Sequence, residues 1–305
     1  MISFILRRLL QSALVMAVVY TGTFWLLMAT PGDPFIGNKQ PPPAVLRALR
    51  ARYGLNNPWK AYFAYAWRVL RYGDFGPTIS YENWTVRDVI RQTLPVSMAL
   101  GSLALLIALW AGVAAGMAGA LLKGRWPDVA LTIGTLLGIS LPTFVVGSAL
   151  LILFSVDVAV FPPGGWGTLR QLVLPALTLS LPFLAYIARL SRSSALDVMS
   201  ADFVRTARAK GVSRLKVVRG HILPNASLAV LTYLGPAAAG VLTGSFVVEK
   251  IFAIPGLGEV FVNACLDKDI PLVLGAVLVY TFILVIMNLL VDIGCAWADP
   301  RIRIG

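Results

Sequence analysis

Long apolar runs separated by shorter polar stretches dominate this chain. Runs of about 17 to 25 apolar residues are long enough to cross a bilayer as a helix. Such runs are found at Leu9–Thr30, Ser97–Leu122, Val129–Phe154, Leu172–Ala188, Leu228–Val248 and Leu272–Asp292. In hydrocarbon each backbone polar group must be paired within its own segment, so these runs predict helices. The pattern predicts an all-α membrane protein with six transmembrane helices.

The composition supports this interpretation. Only 13% of the 305 residues are charged and 58% are hydrophobic, whereas soluble domains carry about a quarter charged residues. The net charge of +12 is not taken as a sign of nucleic-acid binding, because Lys and Arg in membrane proteins collect in cytoplasmic loops. The basic start of the first run is typical of a signal peptide, but the run is longer than a signal core. It is therefore kept as a helix.

The distribution of basic residues predicts the orientation. They concentrate at the N terminus, between the second and third runs, from Arg189 to Arg219, and in the C-terminal tail. By the positive-inside rule both termini are cytoplasmic. The predicted regions are a first transmembrane helix at 1–30, an extracytoplasmic segment at 31–93, a five-helix core at 94–293 and a cytoplasmic tail at 294–305. The segment 31–93 is itself basic, but the rule loses force for loops of about 60 residues.

Two short helices are predicted within the extracytoplasmic segment. "PPPAVLRALRARYGL" and "WKAYFAYAWRVLRYG" each carry an apolar stripe, with Gly54 and Gly73 as stops. They form either a packed loop or a docking surface, and the sequence does not distinguish the two.

Small residues and prolines mark several of the predicted membrane helices. Pairs of glycines one turn apart, which let helices approach closely, are Gly112 and Gly116, Gly134 and Gly138, and Gly240 and Gly244. Prolines inside or near the runs either kink a helix or line a polar route, and the candidates are Pro142, Pro182 and Pro236. Asn288 and Asp292 share one helix face and serve either an interhelical hydrogen bond or a transport pathway.

Several kinds of chemistry find no support in the sequence. There is no phosphate-binding P-loop, no GxSxG or HExxH motif and no metal-ligand spacing. Cys265 and Cys295 flank the last apolar run, too far apart for a disulfide. Ion-driven carriers usually place an ionisable or ion-binding group near the membrane midplane, and no run carries a charge near its middle. An ion-coupled carrier remains the alternative from another class, since backbone carbonyls also bind sodium.

One polar stretch stands between the fourth and fifth runs. Residues 205–225 read "RTARAKGVSRLKVVRGHILPN". They predict two short helices joined at Gly211, the first with an apolar stripe at Phe203, Val204 and Ala207, the second stopped by Pro224. The neighbouring runs hold the stretch at the membrane, which makes a DNA-binding helix-turn-helix a poor fit. It is either a belt that contacts anionic lipids or a docking site for a cytoplasmic partner.

The same stretch resembles the EAA loop of permease subunits in ABC importers, whose pattern is EAAxxxG, nine residues, then IxLP. Ala207, Gly211, Leu223 and Pro224 match this pattern, whereas Arg205, Thr206 and His221 depart from it. "RTARAKG" is similar to the form found in peptide and nickel permeases. "FILRRLL", "TPGDPF", "YGDFGPT", "IPGLGEVFVNA", "NLLVD" and "DPRIR" extend the resemblance nearly end to end. It is strongest to the B-type permease subunits of oligopeptide importers.

The resemblance implies a type I ABC importer permease fold in a bacterial inner membrane. It implies a homologous C-type permease, two cytoplasmic ATPase subunits that bind ATP and Mg²⁺, an extracytoplasmic peptide-binding protein and membrane lipid as partners, with no cofactor in this chain. The helix at about 201–210 becomes a coupling helix that docks on one ATPase. The implied coupling residues are Arg205, Thr206, Ala207, Arg208, Ala209, Lys210, Gly211, Leu223 and Pro224. Added volume at Ala207 and Gly211 is expected to block docking.

Three alternatives stay open at this point. Within the family, the solute is a dipeptide, nickel or another small molecule. Outside it, the chain is an ion-coupled carrier that works without an ATPase, or a structural membrane scaffold whose basic stretch faces lipid.

Overall fold

The structure is a computed structural model that describes residues 2–31, 35, 42–52 and 57–298. Those residues form α-helices joined by short turns, with an isolated bridge between Pro77 and Thr85. The helices are α1 (Ile2–Ala29), α2 (Pro43–Arg52), α3 (Pro58–Tyr72), α4 (Val86–Leu121), α5 (Trp126–Ser140), α6 (Thr143–Leu151), α7 (Leu169–Ser200), α8 (Asp202–Ala209), α9 (Arg214–Val217), α10 (Leu223–Leu242), α11 (Phe246–Ile251), α12 (Leu257–Leu266) and α13 (Ile270–Ala298). Two π-helical segments, Ile152–Asp157 and Val218–Ile222, extend α6 and join α9 to α10.

The predicted six membrane-crossing segments are confirmed by helix length and hydropathy. Five helical runs are long and apolar enough to span a bilayer, and they are Leu6–Ala29, Val86–Leu121, Leu169–Ser200, Arg214–Ile251 and Ile270–Gly294. The sixth is the pair formed by α5 and the π-extended α6, which pass the same test together.

The third predicted segment is not one helix, as Val129–Phe154 had suggested. It bends by 104° between α5 and α6. Leu141 has an extended backbone (φ −77°, ψ 128°), because the ring of Pro142 disfavours the helical conformation of the residue before it. The proline therefore breaks the run rather than gently kinking it.

The fourth and fifth predicted boundaries are also wrong. α7 continues beyond Ala188 to Ser200. A helix that extends beyond the apolar region keeps its backbone hydrogen bonds even where its side chains are polar. α10 ends at Leu242, and Gly244 (φ +91°) turns the chain before Ser245 caps α11. The fifth run, Leu228–Val248, therefore crosses a break.

Contacts divide the chain into two units, residues 1–96 with 256–283, and residues 97–255 with 284–305. In the first unit, the predicted short helices are present as α2 and α3. α3 begins at Asn57, whose Oδ1 accepts from the Lys60 N–H at 3.1 Å, and ends at Gly73 in the left-handed region. Gly54 lies outside the described residues. Aromatic rings join α3 to α1, with Tyr20 and Tyr62 stacked at 4.9 Å between centroids.

A buried carboxylate fixes the loop after α3 in the same unit. Asp269, fully buried before α13, accepts hydrogen bonds from the backbone N–H groups of Ile79 (2.7 Å), Ser80 (2.9 Å) and Leu272 (3.1 Å). Burial raises the pKa of the Asp269 carboxyl, and the backbone donors act in the opposite direction. This side chain both caps α13 and holds the loop against it.

In the second unit α7 is the central helix, packed against α5, α6 and α10. Its approach to α4 is close, because a Cβ on Gly116 would lie 2.4 Å from the carbonyl oxygen of Ala188. At the start of this unit, Ser97 donates a hydrogen bond of 2.7 Å to the fully buried Glu249 of α11. The packing relies on small residues, as expected for membrane helices.

Candidate functional site

The polar stretch between α7 and α10 begins with the eight-residue helix α8. An extended residue, Ala201 (φ −70°, ψ 148°), separates it from α7, and Gly211 (φ +76°) ends the turn that follows it. The Val212 N–H donates to the Ala207 carbonyl at 3.2 Å, the long bond of a Schellman cap. Because a left-handed residue is favourable for glycine, the predicted stop at Gly211 is confirmed.

One face of α8 is built into the protein. Val204 and Ala207 are buried in a hydrophobic cluster, here called the seat, that joins α8 to the ends of other helices. The other buried members of the seat are Met117, Ala120, Ala195, Val217, Ile222 and Ala226. They belong to α4, α7, α9, the π segment and α10. α8 is therefore rigidly attached to three membrane helices.

The opposite face of α8 is exposed and mostly basic. Arg205, Thr206, Arg208, Ala209 and Lys210 are exposed, as is Gly211. Phe203 is also exposed, at 48%, although the apolar pattern had placed it on the inner stripe with Val204 and Ala207. The Phe203 ring meets the His221 ring edge-on at 6.4 Å between centroids and still leaves about half of its surface exposed. Aromatic side chains are enriched at protein–protein interfaces.

Substitutions at Ala207 and Gly211 would disturb the protein's own structure, so they do not test docking to a partner alone. Ala207 lies in the seat, so added volume there disturbs the protein's own packing before it reaches a partner. Gly211 has open space around its Cα but a left-handed backbone, so a side chain there strains the turn. The exposed residues of α8 are the better probes of docking.

The second predicted helix of the polar stretch, after Gly211, differs from its prediction. Ser213 directly precedes α9 without making a side-chain cap hydrogen bond, and Pro224 does not stop the helix, which continues through the π segment into α10. Pro224 is the second residue of α10, directly after the π segment. Leu223 is half-buried beside the seat, and Pro224 is exposed.

An ion pair stands beside this region. The Arg192 guanidinium on α7 donates two hydrogen bonds to the Asp128 carboxylate on α5, at 2.7 and 2.8 Å. The Gly124 N–H donates a third, at 3.0 Å. Sequence reasoning missed this pair because it started the third run after Asp128 and counted Arg192 among loop residues. The available signal was a single acidic residue, Asp128, in the first turn of α5.

A cleft of about 260 Å³ adjoins the ion pair, between α4, α5 and α7. Its walls include Gly116, Thr132, Thr135 and Arg189, together with Arg192. Thr132 and Thr135 lie one turn apart on α5, as do the two arginines on α7. The cleft thus gathers polar groups that the sequence analysis did not single out.

The pathway candidates are distributed over several helices. Pro142 breaks α5 from α6, while Pro182 and Pro236 lie inside α7 and α10. Near the latter two, the rings of Tyr186 and Tyr233 stack at 4.3 Å between centroids and join α7 to α10.

The polar pair on α13 packs differently. Asn288 lies against α10, so close that a Cβ on Gly235 would come within 2.7 Å of its Oδ1. Asp292 is half-buried one turn further along α13. The structure therefore assigns Asn288 a packing position between α13 and α10.

No group of three or more His, Cys, Asp or Glu side chains suited to a metal ion is found among the residues that the structure describes.

Comparisons with known proteins cover the whole chain. A family model described as the binding-protein-dependent transport system inner membrane component matches residues 108–304, and its N-terminal counterpart matches residues 1–101. The chain is 40% identical to the oligopeptide transport system permease protein OppB of Salmonella typhimurium, over 99% of this chain and 100% of that protein. It is 39% identical to the dipeptide transport system permease protein DppB of Lactococcus lactis, over 100% of each.

A solved structure is also similar. The MetNI methionine ABC transporter, in inward-facing conformations, matches with a TM-score of 0.55 and 16% identity, over 70% of this chain and 97% of that chain. At that identity the likeness establishes the fold alone, and the predicted importer permease fold is confirmed.

Proposed function

The chain belongs to the family of binding-protein-dependent transport system inner membrane components, and we propose that it forms part of the route by which oligopeptides enter the cell. Full-length similarity to an oligopeptide permease supports this substrate class. The observation that carries the coupling mechanism is α8, one face of which is fixed in the seat while the other is exposed. The chain itself is a multi-pass membrane permease.

The proposed assembly contains a homologous C-type permease, two cytoplasmic ATPase subunits and an extracytoplasmic protein that delivers the peptide. ATP and Mg²⁺ bind to the ATPase subunits, in keeping with the lack of a P-loop in this sequence. The complex resides in a bacterial inner membrane with both termini of this chain in the cytoplasm, as the distribution of Lys and Arg favours. That orientation puts α8 on the same side as the ATPases.

In this mechanism α8 transmits the movement of an ATPase. Nucleotide binding displaces the ATPase, and the exposed face of α8 moves with it. Because Val204 and Ala207 are packed into the seat, the displacement reaches the ends of α4, α7 and α10. ATP can bias the pathway between its inward- and outward-open states only if its contacts differ between those states.

The exposed contacts on α8 do not contribute equally. Isolated ion pairs on a surface contribute at most about 1 kcal/mol, so Arg205 and Arg208 chiefly steer association. Large apolar side chains at the centre of an interface contribute about 2 kcal/mol or more when they are hot spots. Phe203 is the only aromatic residue on α8 and is the proposed anchor.

The test is substitution of Phe203 by Ala in the assembled complex. Loss of about 2 kcal/mol corresponds to roughly a 30-fold weaker affinity for the ATPase subunits, with a parallel loss of peptide-stimulated ATP hydrolysis. The matched control is Leu169→Ala, which removes an exposed apolar side chain at the opposite end of α7. Affinity is measured by titrating purified ATPase onto the permease pair in bilayer discs. Equal affinities of the two variants would remove α8 from the ATPase interface.

Dipeptides are the second candidate substrate class, because identity to the dipeptide permease of Lactococcus lactis is nearly as high, at 39%. Competition for uptake by peptides of two to six residues separates the two in the reconstituted importer. Uptake that is blocked by pentapeptides but not by dipeptides supports the oligopeptide assignment, and the reverse pattern supports the other.

A further inference from the structure

The helix α3 in the first unit carries an unusual exposed stripe. Trp59, Phe63, Trp67 and Leu70 are between 61% and 85% exposed. At about 100° per residue along an α-helix, these positions fall within roughly 80° of one another. Four large apolar side chains therefore form one continuous face rather than scattered exposures.

Apart from the contact of Trp59 with Trp25, this stripe is not the face by which α3 packs on its own protein. Tyr62, Tyr65 and Val69 make the contacts with α1 and its surroundings. On the other side of the stripe lie the basic residues Lys60 and Arg71, both exposed. Around the helix axis the order is therefore a packed face, an exposed aromatic face and a basic face.

The stripe is continuous with a membrane-crossing helix. The indole of Trp59 lies 4.7 Å, between centroids, from the indole of Trp25. Trp25 lies near the end of the candidate span Leu6–Ala29, and its neighbour Leu26 is exposed. At 1.5 Å per residue, Trp25 lies about 6 Å below the end of α1, in the depth range where Trp and Tyr concentrate in membrane proteins.

The basic face completes the pattern of an interfacial helix. The Arg71 guanidinium lies 5.5 Å from the centroid of the Trp67 ring, so charge and aromatic surface meet along one edge. Helices that lie in a membrane surface combine Trp, Phe and Leu on one face with Lys and Arg on the polar face. Exposure of this stripe to water is unfavourable because of its apolar area.

We propose that α3 lies at the membrane surface beside the C-terminal part of α1, with its aromatic stripe inserted among phospholipids. Trp59, Phe63, Trp67 and Leu70 occupy the boundary between headgroups and acyl chains. Lys60 and Arg71 face the headgroup phosphates and water. α3 thereby anchors the segment between α1 and α4 to the bilayer, and the occupant of this surface is lipid rather than protein.

The experiment measures which solvent surrounds single nitroxide labels. The full chain, with serine replacing Cys265 and Cys295, is placed in bilayer discs of phosphatidylethanolamine and phosphatidylglycerol. Labels at Phe63→Cys on the stripe, Lys60→Cys on the basic face and Leu14→Cys on the exposed face of α1 are compared by their accessibility to oxygen, which partitions into lipid, and to a neutral nickel chelate, which stays in water.

The expected result is an oxygen-to-nickel accessibility ratio at Phe63→Cys that is several-fold higher than at Lys60→Cys and lower than at Leu14→Cys, because Leu14 lies about 22 Å from the end of α1 and therefore deeper in the bilayer. Trp67→Cys gives an independent second reading on the stripe. A ratio at both stripe positions equal to that at Lys60→Cys would overturn the proposal, because the stripe would then face water. Protection of both positions from both reagents would also overturn it, since protein would cover the stripe. Neither result depends on which solute or ATPase the chain serves.

Discussion

At the scale of single residues, the pair Asp128–Arg192 connects two helices and a turn. The Asp128 carboxylate accepts hydrogen bonds from both the Arg192 guanidinium and the Gly124 N–H. This one side chain therefore positions the start of α5, the turn after α4 and the C-terminal part of α7. The Asp128 side chain is 6% exposed and that of Arg192 is 32% exposed. Because the acid is buried and the base is partly solvated, loss of the base leaves a charge with few other partners.

Substitution of Asp128 by Ala should lower the unfolding free energy by about 2 kcal/mol, the typical value for hydrogen bonds to a charged group. Arg192→Lys should lower it as well, because an ammonium cannot make the two parallel bonds of a guanidinium. Asp157→Ala, which removes an exposed acidic side chain, is the control. Thermal unfolding in detergent, followed by tryptophan fluorescence, ranks the three variants. An unchanged midpoint for Asp128→Ala would mean that the pair contributes nothing to stability.

Asp269 has a local role that can be tested at two amides. Asp269→Ala removes the acceptor for the N–H groups of Ile79 and Ser80, so their hydrogen exchange should accelerate by roughly 10- to 100-fold. Asp267→Ala removes an exposed carboxylate two positions away and should leave both amides protected. Exchange measured by mass spectrometry on the peptide containing both amides reports the difference. Equal protection in the two variants would show that the loop is held by other contacts.

At the scale of helices, the glycine pairs in the sequence are not equivalent. Gly116 and Gly112 lie in the α4–α7 contact, where an added Cβ would come within 2.4 and 2.9 Å of α7. Gly134 has nothing within 4 Å of such a Cβ. The same four-residue glycine spacing therefore marks a close approach of two backbones in α4 but includes an open position, Gly134, in α5.

Gly116→Ala should destabilise the chain, because the backbone oxygen of Ala188 cannot move without shifting α7. The loss expected for an overpacked site is about 1 to 3 kcal/mol. Gly134→Ala should be neutral or stabilising by about 0.5 to 1 kcal/mol, since alanine restricts the unfolded chain more than glycine does. The midpoint of thermal unfolding compares the two. A lower midpoint for Gly134→Ala than for Gly116→Ala would contradict this account of the helix contact.

Much of the helical arrangement could be predicted from hydrophobic patterning, and the failures have physical causes. The apolar runs located every membrane-crossing segment because hydrocarbon permits little else. They did not locate the ends of α7, since helical hydrogen bonding continues into water. The break at Pro142 depended on the backbone of the preceding residue. An apolar run that contains a proline can form either a kinked helix or two separate helices, and the apolar pattern is the same in both cases.

At the scale of the whole molecule, family membership sets aside the carrier and scaffold alternatives and implies an assembly with other transport components. Purification from native membranes in mild detergent should recover a second permease and P-loop ATPases with this chain. Mass spectrometry identifies them, and the Phe203→Ala variant should recover less ATPase than Leu169→Ala. Recovery of the chain alone, followed by ion-driven uptake after reconstitution, would contradict the proposed assembly.

The position of α8 in the chain was predictable from the sequence, but which of its faces is exposed was not. The spacing around Gly211 located the turn after α8, because a left-handed residue there requires glycine. Helical periodicity alone assigned Phe203 and Val204, which are adjacent, to one stripe. Only the packing of Val204 and Ala207 against Met117 and Ala195 shows which side of α8 is left for a partner.

The division of α8 into a seated face and an exposed face has a consequence for how such transporters diversify. Residues of the seat are constrained by three membrane helices. Arg205, Thr206, Arg208 and Ala209 lie outside the seat, and the side-chain interactions of Arg205 and Thr206 with Asp202 stay within α8. In the proposed assembly the exposed set can therefore be exchanged as a module, so that one permease accepts a different ATPase subunit while its passage for the solute stays intact.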